Sequence, residues 1–445
     1  MRAVFVIMSV SLLIAAPCCG ADSAVSQEFR QAKAKLQMQL RSRQAADRVA
    51  ALRQIGEFGD LDAAKLVMQL GLRDAAPEVR QAAFDALRSY RNQPEICRML
   101  LGALKKGAKA KQPTPGADVL LAVLLSSDDE EIAEELSACL ENPLGTSPGG
   151  PALVAMTADQ LGLHGEEPDL APLKKLTATK LFEANFAVRR AVVQAIMRIR
   201  EPAAIDDLIQ LLGRVEGEVR GDISQYLAEV TRQQHGLDAA AWGKWWAGAK
   251  ADFKFPPLAR AFAAPAAAGD NRSSYYGLPL FAERVVFVFD TSGSMGGARL
   301  EAAKRELAKA ITTLPENCSF GIVVFNTRVA SWQKQLVLAT QANKDAAARF
   351  VGALVAREQT ATYDALAAAF NFDAEAIYLL TDGEPTTGRV VNASDIVASI
   401  SRGNLARRLS IYVIGIGVGP EGGPFDAFLS ELAKRNFGQY RRVDQ

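Results

Sequence analysis

The chain has 445 residues, 51 Lys and Arg against 50 Asp and Glu, with 49% hydrophobic and 23% charged residues, which is enough for two to four domains with real cores. Residues 1–282 carry 33 basic and 33 acidic side chains and residues 283–445 carry 18 and 17, so neither half is a polycation and nucleic acid is excluded as the main ligand. His164 and His235 are the only histidines, which removes most imidazole chemistry and most zinc sites.

The chain opens with Met1-Arg2, an apolar stretch from Ala3 to Pro17 and the small residues Cys19-Gly20-Ala21. One basic residue, an apolar stretch too short for the roughly 20 residues of a bilayer span, and a small-residue exit describe an export signal over residues 1–21, cleaved after Ala21. An uncleaved anchor is the alternative; a lipid-anchored Cys18 or Cys19 fits poorly behind Pro17 and Cys18. Cys97, Cys139 and Cys318 remain, too few and too scattered for a disulfide framework, and read as buried small hydrophobes. A Cys97–Cys139 pair is the other reading, if neighbouring repeats bring them together.

Residues 30–250 are rich in Ala, Leu, Arg, Glu and Gln, and four segments repeat one local pattern. Arg48…Ile55, Arg80…Leu87, Arg189…Ile196 and Arg220…Leu227 each set an arginine before an aliphatic residue, with apolar positions between them at helical spacing. Repeat periods in the range of 20–50 residues signal stacked helix pairs that cannot bury their apolar faces alone. Pro77-Glu78-Val79-Arg80, with Asp74 ahead of it, suits a helix start. Partner helices are expected at Leu61–Leu72, Ile96–Leu104 and Ala203–Leu212, and degenerate middle units at Val119–Leu125, Ile132–Leu140 and Leu153–Leu163. This half resembles HEAT-type repeats; a non-repetitive helical domain is the alternative.

Lys105, Lys106, Lys109 and Lys111 fall in an expected loop, Lys105–Gly116. Asp128, Asp129, Glu130, Glu131, Glu134 and Glu135 open the next helix, where acidic residues complement the dipole. Both clusters read as solvated surface. Trp242, Trp245 and Trp246 sit at i, i+3, i+4 and read as a hydrophobic closure of the helical array, with an aromatic ligand surface as the alternative. Residues 251–282, with Pro256, Pro257, Pro265 and Pro279 and an Ala-rich run, have linker composition.

From residue 283 strands alternate with helices. Strands are expected at Arg284–Phe289, Ser319–Asn326, Ala376–Thr381, Leu409–Gly415 and Gln439–Val443, with an edge arm at Val329–Leu338. Helices are expected at Leu300–Leu314, Lys344–Val355, Tyr363–Phe370, Asp395–Arg407 and Phe425–Arg435. Apolar strands separated by amphipathic helices imply a doubly wound, mostly parallel α/β sheet, whose ligands bind beyond the carboxyl ends of the strands.

Three loops would meet there: Asp290-Thr291-Ser292-Gly293-Ser294, Gln359-Thr360 before a helix, and Asp382-Gly383-Glu384. Together they resemble the metal-ion-dependent adhesion site of von Willebrand factor A-type domains, with Asp290, Ser292 and Ser294 in the Asp-x-Ser-x-Ser loop, Thr360 in the second and Asp382 in the third. The resemblance spans 283–445 and implies a Rossmann-like fold, a bound Mg²⁺ or Mn²⁺ and an acidic residue of a protein partner completing the coordination. Independently, two carboxylates and three hydroxyls form an all-oxygen donor set suited to a hard cation. Relatives often carry two glycines before the threonine, where this chain has Glu358-Gln359; Thr362 is a second candidate for that hydroxyl.

Other chemistries fit poorly. Gly417-Val418-Gly419-Pro420-Glu421-Gly422 matches the dinucleotide fingerprint alone, without a second βαβ half. Ser292 lacks the nucleophile elbow and residues 283–445 contain no histidine. The expected protein is an exported, bacterial, non-enzymatic binder or scaffold of the periplasm or cell surface, without a membrane span once the signal is removed. The metal site captures an acidic group of one protein and the repeat surface engages a second. A metal-dependent hydrolase using Asp290 and Asp382, with Glu384 or Asp364 as base, and a structural spacer with a vestigial site are the alternatives.

Overall fold

The computed structural model describes residues 21–109, 116–141, 150–257 and 273–444. The expected export signal lies outside them apart from Ala21, as do Lys111, residues 258–272 of the expected linker and the side chain of Cys139. The chain divides into two compact units, Met1–Gly149 and Gly150–Gln445. Among the described residues no helix is long and apolar enough to cross a membrane.

The described part of the first unit is helical: α1 (Ala21–Gln39), α2 (Ala45–Ile55), α3 (Leu61–Leu66), α4 (Pro77–Arg88), α5 (Pro94–Ala108), α6 (Ala117–Leu125) and α7 (Glu130–Glu141). Pro77 opens α4, where its missing N–H is not needed, and Val79, Ala83 and Leu87 are buried on one face. The helix expected over Leu61–Leu72 is capped by Asp60, which accepts from the Asp62 and Ala63 amides, and then widens into a π-helical turn, Val67–Gly71. A Cβ on Gly71 would lie 2.7 Å from Ala83 Cβ, so this turn and α4 meet more closely than a side chain allows.

The lysine loop is corrected. Lys105 and Lys106 belong to α5, because lysine is a good helix former and the buried stripe of Ile96, Leu100, Leu101 and Leu104 runs up to them. In the last turn their charge also complements the helix dipole. The acidic run meets this helix: Lys105 pairs with Glu135, and Arg98 with Glu131 at 2.6 Å. Asp129 caps α7, accepting from the Glu131 and Ile132 amides at 3.0 and 3.3 Å. These pairs lie on the surface, where each adds little to stability.

The second unit begins with α8 (Gly150–His164), α9 (Leu170–Thr177), α10 (Lys180–Ala184), α11 (Phe186–Arg198), α12 (Pro202–Leu212), α13 (Gly217–Thr231) and α14 (Ala239–Ala249). On α14, Trp242 and Trp246 are buried. Their indole N–H groups donate to the Gly236 carbonyl at 2.9 Å and to Asp206 on α12 at 2.8 Å, so two of the three tryptophans pack inward.

A two-stranded hairpin, β1 (Ser274–Tyr275) and β2 (Leu278–Pro279), precedes the main sheet. The sheet contains β3 (Arg284–Asp290), β4 (Ser319–Phe325), β5 (Val329–Ser331), β6 (Val337–Leu338), β7 (Ala376–Thr381), β8 (Ser410–Ile416) and β9 (Tyr440–Val443). Their order is β5-β4-β3-β7-β8-β9; β5 and β6 both lie antiparallel on β4, and all other pairings are parallel. The intervening helices are α15 (Ala298–Thr313), α16 (Gln341–Gly352), α17 (Thr362–Ala369), α18 (Ala393–Asn404) and α19 (Pro424–Arg435). The strands are apolar at successive positions because both faces are covered: Val285 to Phe289 are all buried. Phe287, Tyr378 and Tyr412 pack in one core with Leu307 and Ile311 of α15.

Helices α11 and α13 dock on the amino ends of the strands through a buried polar seam. Arg190 donates to the Arg408 carbonyl (2.8 Å) and to Asp222 (2.9 Å), and lies over the Phe437 ring. Glu218 accepts from the Ser410 and Tyr412 hydroxyls, each at 2.9 Å. A parallel strand of seven residues spans about 20 Å, so this seam sits at the opposite pole of the sheet from the loops after β3 and β7.

Candidate functional site

Register places the site. Phe289 of β3 pairs with Leu380 of β7, so Asp290 and Thr381 emerge side by side at the carboxyl edge. The Thr381 hydroxyl donates to one Asp290 oxygen at 2.5 Å and the Ser292 amide to the other at 2.7 Å. Both bonds fix the carboxylate. Asp290 is fully buried, and burial pushes its carboxyl up to about 6; the Thr381 and Ser292 bonds oppose that rise and the nearby Asp382 charge adds to it.

After Asp290 the chain makes a 3₁₀ turn, Gly293–Met295, anchored by the fully buried Met295. This brings Ser292 Oγ to 3.1 Å from Ser294 Oγ, and Ser294 Oγ donates to Asp382 Oδ1 at 2.8 Å. The loop carrying Thr360 is stitched to the first: the Gly293 amide donates to the Glu358 carbonyl (3.0 Å) and the Arg357 amide to the Thr291 carbonyl (2.8 Å). Thr386 holds Thr360 from the third loop, its hydroxyl accepting from the Thr360 amide at 2.9 Å. The three hydroxyls surround one point, since a Cβ built on Gly383 would lie 3.3 Å from Ser294 Oγ and Thr360 Oγ1 and 3.9 Å from Ser292 Oγ.

All five residues singled out in the sequence therefore stand in one cluster. Thr360 supplies the hydroxyl beside Gly383, whereas the Thr362 hydroxyl is buried without a hydrogen-bond partner. Of the two acids named as a hydrolytic base, Asp364 pairs with Arg389 at 2.5 Å and Glu384 is exposed. Glu358 takes the left-handed conformation at φ +64°. Sequence reading overlooked Thr381 and Arg299. Thr381 could have been read from its place directly before Asp382 at a strand end. Arg299 on α15 pairs with Asp382 and donates to the Ser294 carbonyl at 3.2 Å, and nothing local to its sequence announces this.

Among the described residues no group of three or more His, Cys, Asp and Glu side chains stands together; the donor set here is two carboxylates and hydroxyls. That set fits a small hard cation, which prefers oxygen and tolerates few direct protein ligands. Beside it lies a groove of about 260 Å³ lined by Thr291, Asn326, Arg328, Arg357 and Glu358 among others. Arg328 and Arg357 are exposed there.

Residues 283–442 match the family described as the von Willebrand factor type A domain. The chain is 31% identical over 185 residues to human inter-alpha-trypsin inhibitor heavy chain H4, covering 38% of this chain and 19% of that protein. It is 32% identical over 174 residues to human heavy chain H1, covering 36% and 18%. The chain thus spans about a fifth of the length of these relatives. Among solved structures it resembles a von Willebrand factor type A protein from Catenulispora acidiphila, at 25% identity and a TM-score of 0.32 over 36% of this chain and 38% of that one. It also resembles an aerotolerance-related membrane protein from Bacteroides fragilis, at 25% identity and a TM-score of 0.29 over 36% and 92%.

Proposed function

Residues 283–442 form a von Willebrand factor type A domain, a fold that generally mediates protein–protein interaction, and from that premise we propose that this chain is an exported, metal-dependent binder of an acidic protein partner. The observation that carries the reading is the convergence of the Ser292, Ser294 and Thr360 hydroxyls around Gly383, with Asp290 and Asp382 behind them. These five residues would hold Mg²⁺ or Mn²⁺. When bound, the ion supplies a hard Lewis acid with a position left for one carboxylate oxygen of the partner.

The chain's own groups do the rest. Thr381 and the Ser292 amide keep Asp290 aimed, so little ordering is left for the moment of binding. Asp382 is held from two sides by Ser294 and Arg299. Arg328 and Arg357 outnumber Glu358 on the adjoining groove, and this net positive charge favours an acidic segment over a basic one. The reading extends to a HEAT-like repeat over residues 30–250 that presents a second protein-binding surface, joined to the sheet domain through residues 251–282. It also extends to removal of residues 1–21 on export to the periplasm or cell surface.

Calorimetric titration of the full chain with Mg²⁺ and Mn²⁺ tests the metal site. Binding is expected in the natural protein, and loss of it in Asp290→Ala and Ser292→Ala with the fold retained by circular dichroism. Metal binding that survives in both variants would overturn the assignment.

A further inference from the structure

Arg299 is built into the site. Its guanidinium pairs with Asp382, whose side chain is 0% exposed, while its own is 27% exposed. The same Nη1 donates to the Ser294 carbonyl at 3.2 Å. A Cβ at Gly417, φ +59°, would come within 3.1 Å of Nη2, so the loop leaving β8 packs closely against the guanidinium. The fixed charges of the cluster are then two carboxylates and one guanidinium, a net of about −1 at neutral pH.

That count has a consequence for any divalent cation. A dication brings the cluster to about +1, an excess positive charge in a partly enclosed site, and one carboxylate brings it back to neutrality. With a neutral side chain at position 299 the dication alone already balances the two aspartates, and an added carboxylate makes the site negative. Charges within a few ångströms of each other at a half-enclosed surface interact strongly enough to matter.

Resting on the metal-site reading above, we infer that Arg299 couples cation loading to carboxylate capture: it weakens binding of the ion alone and strengthens binding of the ion together with an acid. Arg299 is a positioning residue here, acting through Asp382 and through its charge. The two ligands are linked reciprocally, each raising the affinity of the other by the same factor.

The test titrates the full chain with Mg²⁺ by calorimetry, with and without acetate as the carboxylate probe, in the natural protein, Arg299→Gln and Arg299→Lys. In acetate-free buffer Arg299→Gln should bind Mg²⁺ about tenfold more tightly, gain less from acetate, and melt at a lower temperature in EDTA because Asp382 loses its partner. Arg299→Lys, which keeps the charge, should behave as the natural protein does in both titrations. If Arg299→Gln binds Mg²⁺ no more tightly, or gains as much from acetate, the coupling is wrong while the metal site stands. If neither the natural protein nor any variant binds Mg²⁺ or Mn²⁺, the metal site itself falls and the coupling with it.

Discussion

Gly217 lies against Glu375: a Cβ at Gly217 would be 2.2 Å from Glu375 Oε2. Gly217 is the first residue of α13 and takes φ +68°, while Glu375 stands just before β7, accepting the Glu218 and Glu283 amides at 3.3 and 3.2 Å. One turn along α13, a Cβ at Gly221 would be 2.6 Å from the Phe281 ring. Two glycines four residues apart thus let α13 lie flat on the foot of the sheet, where an ordinary helix face could not come so near.

Gly217→Ala should therefore destabilise the second unit through two additive causes. The left-handed conformation costs a residue with a side chain roughly 1–2 kcal/mol, and the overlap with Glu375 costs about 1–3 kcal/mol more. Gly403→Ala, in α18, is the control: nothing lies within 4 Å of its Cβ, and alanine in an exposed helix should stabilise by about 0.5–1 kcal/mol. Urea midpoints of the two variants on opposite sides of the natural protein are the expected result, and coincident midpoints would count against the close-packed seam.

Stability of that seam should fall as pH rises. Glu218 is wholly buried, with Ser410 and Tyr412 of β8 donating to it and Arg190 of α11 and Asp222 of α13 alongside. Burial pushes its carboxyl up to about 8, with Arg190 opposing and Asp222 adding to the rise. Between the ordinary value of 4.5 and about 8 the folded chain keeps a proton that the unfolded chain has released, so stability declines by up to about 1.4 kcal/mol per pH unit and levels off above. Asp222 and Asp290, also raised, slope the same way, and Glu218→Gln isolates the share of Glu218. Its stability should match the natural protein near pH 5 and exceed it increasingly toward pH 8. Parallel pH profiles would refute the assignment.

The strands were legible because a strand buried on both faces leaves an unbroken apolar run, as in Val285–Phe289 and Ala376–Leu380. The five cluster residues were legible through a resemblance: Asp290, Ser292 and Ser294 fill the Asp-x-Ser-x-Ser loop of the von Willebrand factor A-type pattern, and Thr360 and Asp382 its second and third loops. What joins them was not. Arg299 meets Asp382 across 83 residues, a pairing set by how β3, α15 and β7 stack. Arg190 and Glu218 are ordinary charged positions on amphipathic helices until the sheet covers them; Glu218 finds Ser410 192 residues away. Gly217 and Gly221 did carry a signal, since glycines inside a helix pattern mark close approach, but not what approaches. Lys105 and Lys106 lie in α5 rather than in the expected loop because the apolar stripe beneath them still runs.

Gly383 should tolerate alanine in the fold but not in the site. Its Cβ would enter the space between Ser294 Oγ and Thr360 Oγ1, 3.3 Å from each, a contact that neighbours accommodate by shifts of a few tenths of an ångström. Such a shift is small for stability, at about 1 kcal/mol, and large for hydroxyls that must share one small ion. Gly383→Ala is expected to lose about tenfold or more in Mg²⁺ affinity with a melting temperature in EDTA close to that of the natural protein. Equal affinity in the variant would mean that the three hydroxyls are not the ligands.

Glu358 and Gln359 stand where relatives often have two glycines, and the backbone separates them. Glu358 is left-handed at φ +64° and its carbonyl accepts the Gly293 amide, while Gln359 is absent from the positive-φ residues and its amide donates to Thr327 at 3.2 Å. At Glu358 a glycine would remove roughly 1–2 kcal/mol of left-handed strain against about 0.4–1 kcal/mol for the freedom it adds to the unfolded chain. Glu358→Gly should thus stabilise the second unit, by up to roughly 1.5 kcal/mol. At Gln359 there is no strain to relieve, so Gln359→Gly should only lose the unfolded-state contribution and destabilise by about 0.4–1 kcal/mol. Opposite shifts of the urea midpoint in the two variants are the expected outcome, and shifts of the same sign would show that the left-handed conformation at Glu358 is not what sets the effect of glycine there.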